Sequence, residues 1–135
     1  MLDLYENVFF YFSEKRLPSH FCGNSQECYD DQDYALQMAK INVQNEYLVV
    51  GYLENLSGFL KVLETQLSSW FTGSLQLFNE QKTKLNKEQR TTCKYQHPPT
   101  ETTRKILQTA LWRELELYEF IRREFDTKWA GYEPT

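Results

Sequence analysis

The chain has 135 residues, of which 41% are hydrophobic and 25% charged, and its net charge is −4. This length suits one domain that buries a core, and the composition excludes a disordered or fibrous protein. The longest apolar runs, VFFYF and YLVVGYL, are far shorter than the roughly 20 residues that cross a bilayer, and the first residues lack a basic region with a cleavage site. We therefore expect neither a transmembrane segment nor an export signal within this chain.

Basic residues are concentrated in one segment. From Lys82 to Lys105 there are seven basic and two acidic residues, so this segment carries +5 and the remainder −9. We expect no general nucleic-acid surface, because the rest of the chain would repel phosphates. The segment itself is consistent with one local anion site, and equally with an ordinary solvated lysine-rich loop.

The first two predicted elements lie on either side of Pro18. Residues 1–17 are apolar on every side and predict either a buried strand around Val8–Phe12 or a packed helix. The segment Asp33–Glu46 predicts an amphipathic helix with acidic residues in its first turn, where the helix dipole favours them. Its apolar stripe comprises Tyr34, Met38 and Ile41, with Ala35 and Ala39 beside it.

A short strand and a second helix follow. The segment Tyr47–Gly51 contains consecutive apolar residues, two of them β-branched, and predicts a strand covered on both faces. Leucines then recur at alternating spacings of three and four, at positions 53, 56, 60, 63 and 67, which predicts an amphipathic helix. Each unpaired buried backbone group costs of order 1–3 kcal/mol, so a lone strand indicates that the chain is part of a larger α/β domain.

The last third of the chain contains a predicted loop and a predicted long helix. After Thr72 the chain continues through GSLQLF. The polar and basic stretch NEQKTKLNKEQRTTCKYQHPPT, which begins at Asn79 and is ended by Pro98 and Pro99, resembles a long loop, and such loops are usually functional or disordered. Thr100 is the predicted N-cap of a helix that runs from Glu101 to about Lys128. Its apolar face comprises Leu107, Leu111, Leu115, Tyr118 and Phe125.

Two of the three cysteines are close in sequence. Cys22 and Cys28 lie six apart around GNSQE, which is too wide for a typical zinc half-site, and the remaining ligand candidates are Cys93, His20 and His97. We therefore expect no metal. The short loop favours a disulfide, which would imply an oxidising compartment, over a pair of reduced thiols. The state of Cys93 stays open.

The sequence assigns no catalytic residue. His20 and His97 lie beside prolines without a recognisable nucleophile, and neither a phosphate loop of the G-x-x-x-x-G-K-[ST] type nor a G-x-G-x-x-G motif is present. Asn55-Leu-Ser57 matches the N-glycosylation pattern and fits a secretory glycoprotein, although its place at a helix start argues against occupancy.

Five stretches resemble a known family when they are taken in order: FCGNSQEC, ALQMAKINVQNEYLVVGYLENLSGFLKVLETQL, WFTG, RTTCKYQHPPTETTRKIL and LWRELELYEFIRREF. They are similar to the C-terminal half of the heparan sulfate 2-O-sulfotransferase and uronyl 2-O-sulfotransferase family, from residue 20 to residue 126. The resemblance implies a P-loop-type sulfotransferase fold of the α/β class, with a parallel sheet flanked by helices. Residues 1–135 would form one partial domain of it, mostly helical with one strand.

The resemblance also implies an activity and a compartment. Members of this family are Golgi type II membrane proteins that transfer a sulfo group from 3′-phosphoadenylyl sulfate (PAPS) to the 2-hydroxyl of a uronic acid. The acceptor is a glycosaminoglycan chain of the heparan, dermatan or chondroitin type. By resemblance, Cys22 and Cys28 form a lumenal disulfide, and the expected assembly is a trimer.

The predicted cofactor-binding residues come from the same resemblance. Thr91 and Lys94 match residues that contact the nucleotide, while Phe78 and Asn86 stand where the family more often has tyrosine and serine. Arg90 lies in the basic part of the same segment. A hydroxyl beside two cations suits a phosphate dianion, such as the 3′-phosphate of PAPS or of its product 3′-phosphoadenosine 5′-phosphate (PAP).

The resemblance predicts an incomplete enzyme. It places the 5′-phosphosulfate loop, with its lysine, and the histidine that acts as general base upstream of this chain. It places the tail that supports the trimer beyond Thr135. The alternative is a non-catalytic helical interaction module that has kept the scaffold of the family.

Overall fold

The structure is a computed structural model that describes residues 17–88 and 99–132. These two ranges form eight α-helices and two short 3₁₀ helices, and they contain no β-strand. The α-helices are α1 Leu17–Cys22, α2 Glu27–Asp30, α3 Gln32–Asn45, α4 Leu56–Gln66, α5 Ser68–Phe71, α6 Ser74–Glu88, α7 Glu101–Ala110 and α8 Trp112–Lys128. None of these helices combines the length and the apolar character that a membrane span needs.

The chain divides into two compact units. The first comprises Met1–Leu48 and Pro98–Glu124, and the second comprises Val49–His97 and Phe125–Thr135. The single partial domain expected from the sequence stays a prediction, because this division describes contacts within the chain and not the limits of a sulfotransferase domain.

Helix α3 is the central element of the first unit. Its N-terminus is capped by Asp31, whose Oδ1 accepts hydrogen bonds at 3.0 Å from the backbone N–H groups of Asp33 and Tyr34. Helices α1 and α2 both pack against α3. The Asn42 amide of α3 donates hydrogen bonds to the last carbonyls of α1, at 2.8 Å to Phe21 and 2.9 Å to Cys22. These bonds satisfy carbonyls that a helix end otherwise leaves without partners.

A disulfide links α1 to α2. Cys22 and Cys28 are bonded to each other, and their Cα atoms lie 5.7 Å apart. Both residues are buried in a cluster with Ala35 of α3, against which Met38 packs. The disulfide expected from the sequence is therefore confirmed, and it forms part of the core of this unit.

Two ion pairs join α8 to α3 within the first unit. Arg113 Nε donates to Asp33 Oδ1 at 2.8 Å, and Lys40 pairs with Glu116. The hydrogen bond to Asp33 raises the pKa of the Arg113 guanidinium above its ordinary value.

Helix α4 is the central element of the second unit. Its N-cap is Asn55, whose buried side chain accepts a hydrogen bond from Gly58 N–H at 3.1 Å. Val62 and Leu63 supply its buried apolar residues. Just before it, the Tyr52 hydroxyl donates to Asp126 at 2.8 Å, so a side-chain contact holds the start of this unit to a residue 74 positions later.

The predicted loop is wrong for residues 79–88, which belong to α6, and residues 89–98 of that stretch lie outside the described residues. The start of α6 is fixed by Glu64 of α4, whose Oε1 accepts from Leu75 N–H at 3.0 Å and from the Ser74 hydroxyl at 3.5 Å. The stretch is polar, but glutamate, lysine, glutamine and leucine are good helix formers. Gly73, with φ at +84°, supplies the turn before it.

The predicted strand Tyr47–Gly51 is also wrong, since the structure has no strand there. A strand is stabilised by a neighbour that pairs with its backbone, and the described parts of the chain supply none. The other doubtful strand, around Val8–Phe12, lies outside the described residues.

The helices predicted on either side of this segment are confirmed, with different buried faces. Helix α3 buries Ala35, Leu36, Ala39 and Val43, whereas Tyr34 and Ile41 of the predicted stripe are 41% and 48% exposed. The helix predicted from Glu101 to Lys128 is two helices, because Leu111 leaves helical geometry between them. Thr100 caps the first of them as predicted, by accepting from Thr103 N–H at 3.2 Å. The second buries Leu117 and Ile121, which the predicted face omitted, together with Phe125.

We expect the Cys22–Cys28 disulfide to stabilise the protein. Closing so short a loop in the unfolded chain is worth about 2 kcal/mol by the chain-entropy estimate. Replacing both cysteines by alanine should therefore lower the melting temperature by several degrees. A reductant should lower the melting temperature of the parent protein and leave that of the double variant unchanged. Equal melting temperatures for the parent with and without reductant would contradict this role.

We expect Gly51→Ala to destabilise the second unit. A Cβ atom at this position would lie 2.5 Å from Cδ2 of Phe59 and 3.0 Å from its Cβ, so the Phe59 side chain or the backbone must move. Overpacking of this kind costs about 1–3 kcal/mol. Gly131→Ala is the matched control, because a Cβ there meets no atom within 4 Å. Urea unfolding of both variants measures the difference, and equal midpoints would refute the steric explanation.

Candidate functional site

Helix α6 carries the first two predicted cofactor-binding residues. Phe78 and Asn86 both lie within Ser74–Glu88, and the Phe78 side chain is half-buried. Eight residues of α-helix separate them by about 12 Å along the axis. The helix therefore fixes their spacing, which a loop would have left variable.

The helix also brings Lys82 into line with Phe78. Positions four apart share a face of an α-helix, so Phe78 and Lys82 form one stripe on α6. Lys84 is exposed and lies on the other side of the helix. The sequence analysis did not single out Lys82, because it predicted a loop for this stretch. In a loop, the spacing of residues along the sequence does not show which side chains lie on the same side. A helical period applied to NEQKTKLNKE would have found it.

The remaining predicted cofactor residues, Arg90, Thr91 and Lys94, lie outside the described residues. Cys93 and His97 do as well. The combination of one hydroxyl and two cations therefore stays a prediction from the sequence. On the described side of that segment, α6 supplies positive charge from Lys82 and Lys84, both of them exposed.

No other chemistry is assembled in the part of the chain that the structure describes. Within residues 17–88 and 99–132 no three His, Cys, Asp or Glu side chains come together as metal ligands. His20 is exposed on α1 and is followed by the buried Cys22. The ion pairs Lys40–Glu116 and Arg113–Asp33 join helices α3 and α8.

The glycosylation pattern at Asn55 coincides with the N-cap of α4. The Asn55 side chain is only 6% exposed, and its Oδ1 accepts the Gly58 N–H. A glycan on Asn55 would remove this cap and require the side chain to leave the core. The geometry therefore argues against a glycan here in the folded protein.

Comparison with known proteins identifies clear relatives, although no family model matches the chain. Heparan sulfate 2-O-sulfotransferase 1 of Xenopus laevis is 38% identical over 107 residues, which is 78% of this chain and 29% of the relative. The human protein of the same name is 36% identical over 107 residues, with the same coverage. Drosophila melanogaster heparin sulfate O-sulfotransferase is 36% identical over 109 residues, or 78% of this chain and 30% of the relative.

The chain spans less than a third of the length of these relatives, whereas the match covers more than three quarters of the chain itself. Identity at this level over about a hundred residues, in vertebrate and insect proteins alike, reflects common descent. The chain is therefore a homologue, over most of its own length, of the heparan sulfate 2-O-sulfotransferases.

Proposed function

We propose that this chain is the cofactor-positioning part of a PAPS-dependent 2-O-sulfotransferase that acts on the uronic acid of heparan sulfate. The observation that carries the proposal is the 36–38% identity to proteins named as heparan sulfate 2-O-sulfotransferases. Because those proteins are more than three times as long as the match, the activity of the whole enzyme is part of the proposal. Dermatan and chondroitin sulfate are further proposed acceptors. No observation favours a non-catalytic module.

The chemistry of the predicted residues fits the 3′-phosphate of the nucleotide. Thr91 would donate a hydroxyl hydrogen bond to a phosphate oxygen, and Arg90 and Lys94 would balance its charge. Phe78 offers an aromatic face to the adenine but lacks the hydroxyl that is more common in the family. The Asn86 amide can donate a hydrogen bond where a serine hydroxyl more often does.

The described structure supports this proposal through α6. The carboxylate of Glu64 fixes the first turn of this helix, so the stripe formed by Phe78 and Lys82 has a defined direction and spacing. We include Lys82 in the proposed set because it lies between the two predicted positions. The ammonium group of Lys82 would add positive charge to this part of the chain, in which Arg90 and Lys94 follow the C-terminus of α6 in the sequence.

The reaction requires residues beyond this set. When bound, PAPS supplies the sulfo group, and in-line displacement at sulfur leaves negative charge on the departing phosphate. The residues of this chain would bind the 3′-phosphate side of the nucleotide. They would thereby keep its 5′-phosphosulfate group in position for the reaction. The resemblance puts the general base, a histidine that takes the proton of the sugar hydroxyl, in the polypeptide upstream.

The compartment and the assembly belong to the same proposal. The Cys22–Cys28 disulfide is the state that an oxidising compartment favours, which supports the Golgi lumen. The homotrimer is proposed from the resemblance alone.

We expect Lys94→Ala to weaken nucleotide binding in an extended protein. The test protein is the Xenopus laevis relative with its matched segment replaced by residues 20–126 of this chain. A charge-assisted hydrogen bond is worth about 1.5–3 kcal/mol, so calorimetry should show PAP binding weakened by about 10- to 100-fold. Lys82→Ala should weaken it by a smaller factor. Lys84→Ala removes the same charge from the other side of α6 and should leave it nearly unchanged.

The outcomes separate the assignment from its details. A folded chimaera that binds no PAP, and transfers no sulfo group from PAPS to heparan sulfate, would reject the proposed function. Binding that falls equally with Lys84→Ala and Lys82→Ala would reject the stripe on α6 and leave the function standing, since charge alone would then explain the effect.

A further inference from the structure

The partly buried side chains of helix α6 lie near its start. Those of Ser74, Leu75 and Phe78 are half-buried, whereas the side chains of residues 79–84 are all exposed. Within the second unit, α6 packs against α4. Lys82, which belongs to the proposed nucleotide-binding set, therefore lies on the exposed part of the helix. Its position depends on how the first turn of α6 is held.

Glu64 of α4 makes the hydrogen bonds that hold this first turn. Its Oε1 accepts from Leu75 N–H at 3.0 Å and from the Ser74 hydroxyl at 3.5 Å. The first backbone N–H groups of an α-helix have no partner within the helix, so the Leu75 N–H depends on an acceptor from outside it. Glu64 follows the buried Val62 and Leu63 in α4. One side chain thus connects the core of the second unit to the N-terminus of α6.

The distance from this contact to Lys82 amplifies any change at the start of α6. Both Leu75 and Lys82 lie within this helix, and the helical rise places them about 10 Å apart along its axis. A tilt of about 20° at the start would therefore move Lys82 by about 3–4 Å. Such a displacement breaks a hydrogen bond, and a misplacement of only about 1 Å can cost about 100-fold in function.

We propose that Glu64 is a positioning residue of the nucleotide site, which fixes the direction of α6 and thereby the place of Phe78 and Lys82. This inference rests on the proposed function. Glu64 acts through α6 and not by contact with PAPS, because a carboxylate repels the phosphates of the nucleotide. Its contribution to binding is therefore opposite in sign to the effect of its own charge.

This difference in sign separates positioning from a charge effect. If Glu64 acted only through its charge, Glu64→Ala would remove a repulsion and strengthen the binding of an anionic nucleotide. If Glu64 positions α6, the same change weakens binding. Glu64→Gln keeps a side-chain oxygen that can accept from Leu75 N–H, so it should hold α6 without the charge. Glu64→Asp keeps the charge, but its side chain is one methylene shorter and should not reach that N–H.

The binding test uses the chimaera of this chain with the Xenopus laevis relative. Calorimetry should show PAP bound about tenfold or more weaker by Glu64→Ala and Glu64→Asp, and within about threefold of the parent by Glu64→Gln. The KM for PAPS should rise in the same order, with kcat changed by less than about twofold, because contacts to the 3′-phosphate are the same in the ground state and the transition state. The KM for heparan sulfate should not change.

Glu80→Ala is the matched control. Glu80 is an exposed carboxylate of α6 that accepts from the Gln76 amide of the same helix at 2.9 Å. The change removes the same charge and leaves the contact between α4 and α6 intact, so PAP binding should not weaken. The proposal is overturned if Glu64→Ala lowers the melting temperature but leaves PAP affinity unchanged, or if it strengthens binding. Equal weakening by Glu64→Ala and Glu64→Gln also overturns it.

The direction of α6 can be measured in the chain itself, without nucleotide. Cys93→Ser removes the one cysteine outside the disulfide, and Gln66→Cys with Gln81→Cys places spin labels at exposed positions of α4 and α6. Glu64→Ala should shift or broaden the distance between the labels by about 3 Å, and Glu64→Gln should restore it. An unchanged distance rejects the positioning role, also where a variant chimaera does not fold.

The outcomes distinguish this inference from the proposed function. A parent chimaera that binds PAP as tightly as its Glu64→Ala and Glu64→Asp variants rejects the positioning role alone. A folded parent chimaera that binds no PAP rejects the proposed function, and the inference with it.

Discussion

The close packing around Ala35 and Ala39 is the constraint on which the first unit depends. Both residues are fully buried, and their small side chains allow neighbouring elements to approach the backbone of α3. The disulfide then fixes α1 to α2 beside Ala35, and the Asn42 amide closes the end of α1. A larger side chain at Ala35 would separate these contacts together, because they share one small volume.

The candidate site depends on a different constraint, in the second unit. Glu64 of α4 accepts hydrogen bonds from the first residues of α6, so one carboxylate fixes where α6 starts. A carboxylate at a helix N-terminus is also favoured by the helix dipole. The direction in which Phe78 and Lys82 are presented therefore depends on a residue of α4 that lies 14 and 18 positions before them in the sequence.

Local signals in the sequence predicted local structure well. Thr100 after two prolines marked the start of α7, and the spacing of Cys22 and Cys28 indicated their bond. For α6 the sequence offered good helix formers, but its polar composition also suits a loop, and the contact that fixes its start comes from Glu64, which lies in another helix. Nor could it choose the buried side of α3, since a helix with apolar residues on two sides has two equivalent solutions until its partners are known.

The missing strand has a physical explanation. The segment Tyr47–Gly51 has the composition of a buried strand, but no strand among the described residues pairs with its backbone. A strand depends on hydrogen bonds from a neighbouring strand, whereas a helix pairs its backbone groups within its own segment. The helices predicted on either side of Tyr47–Gly51 therefore form from local sequence, while the strand prediction depended on a partner that the local pattern could not supply.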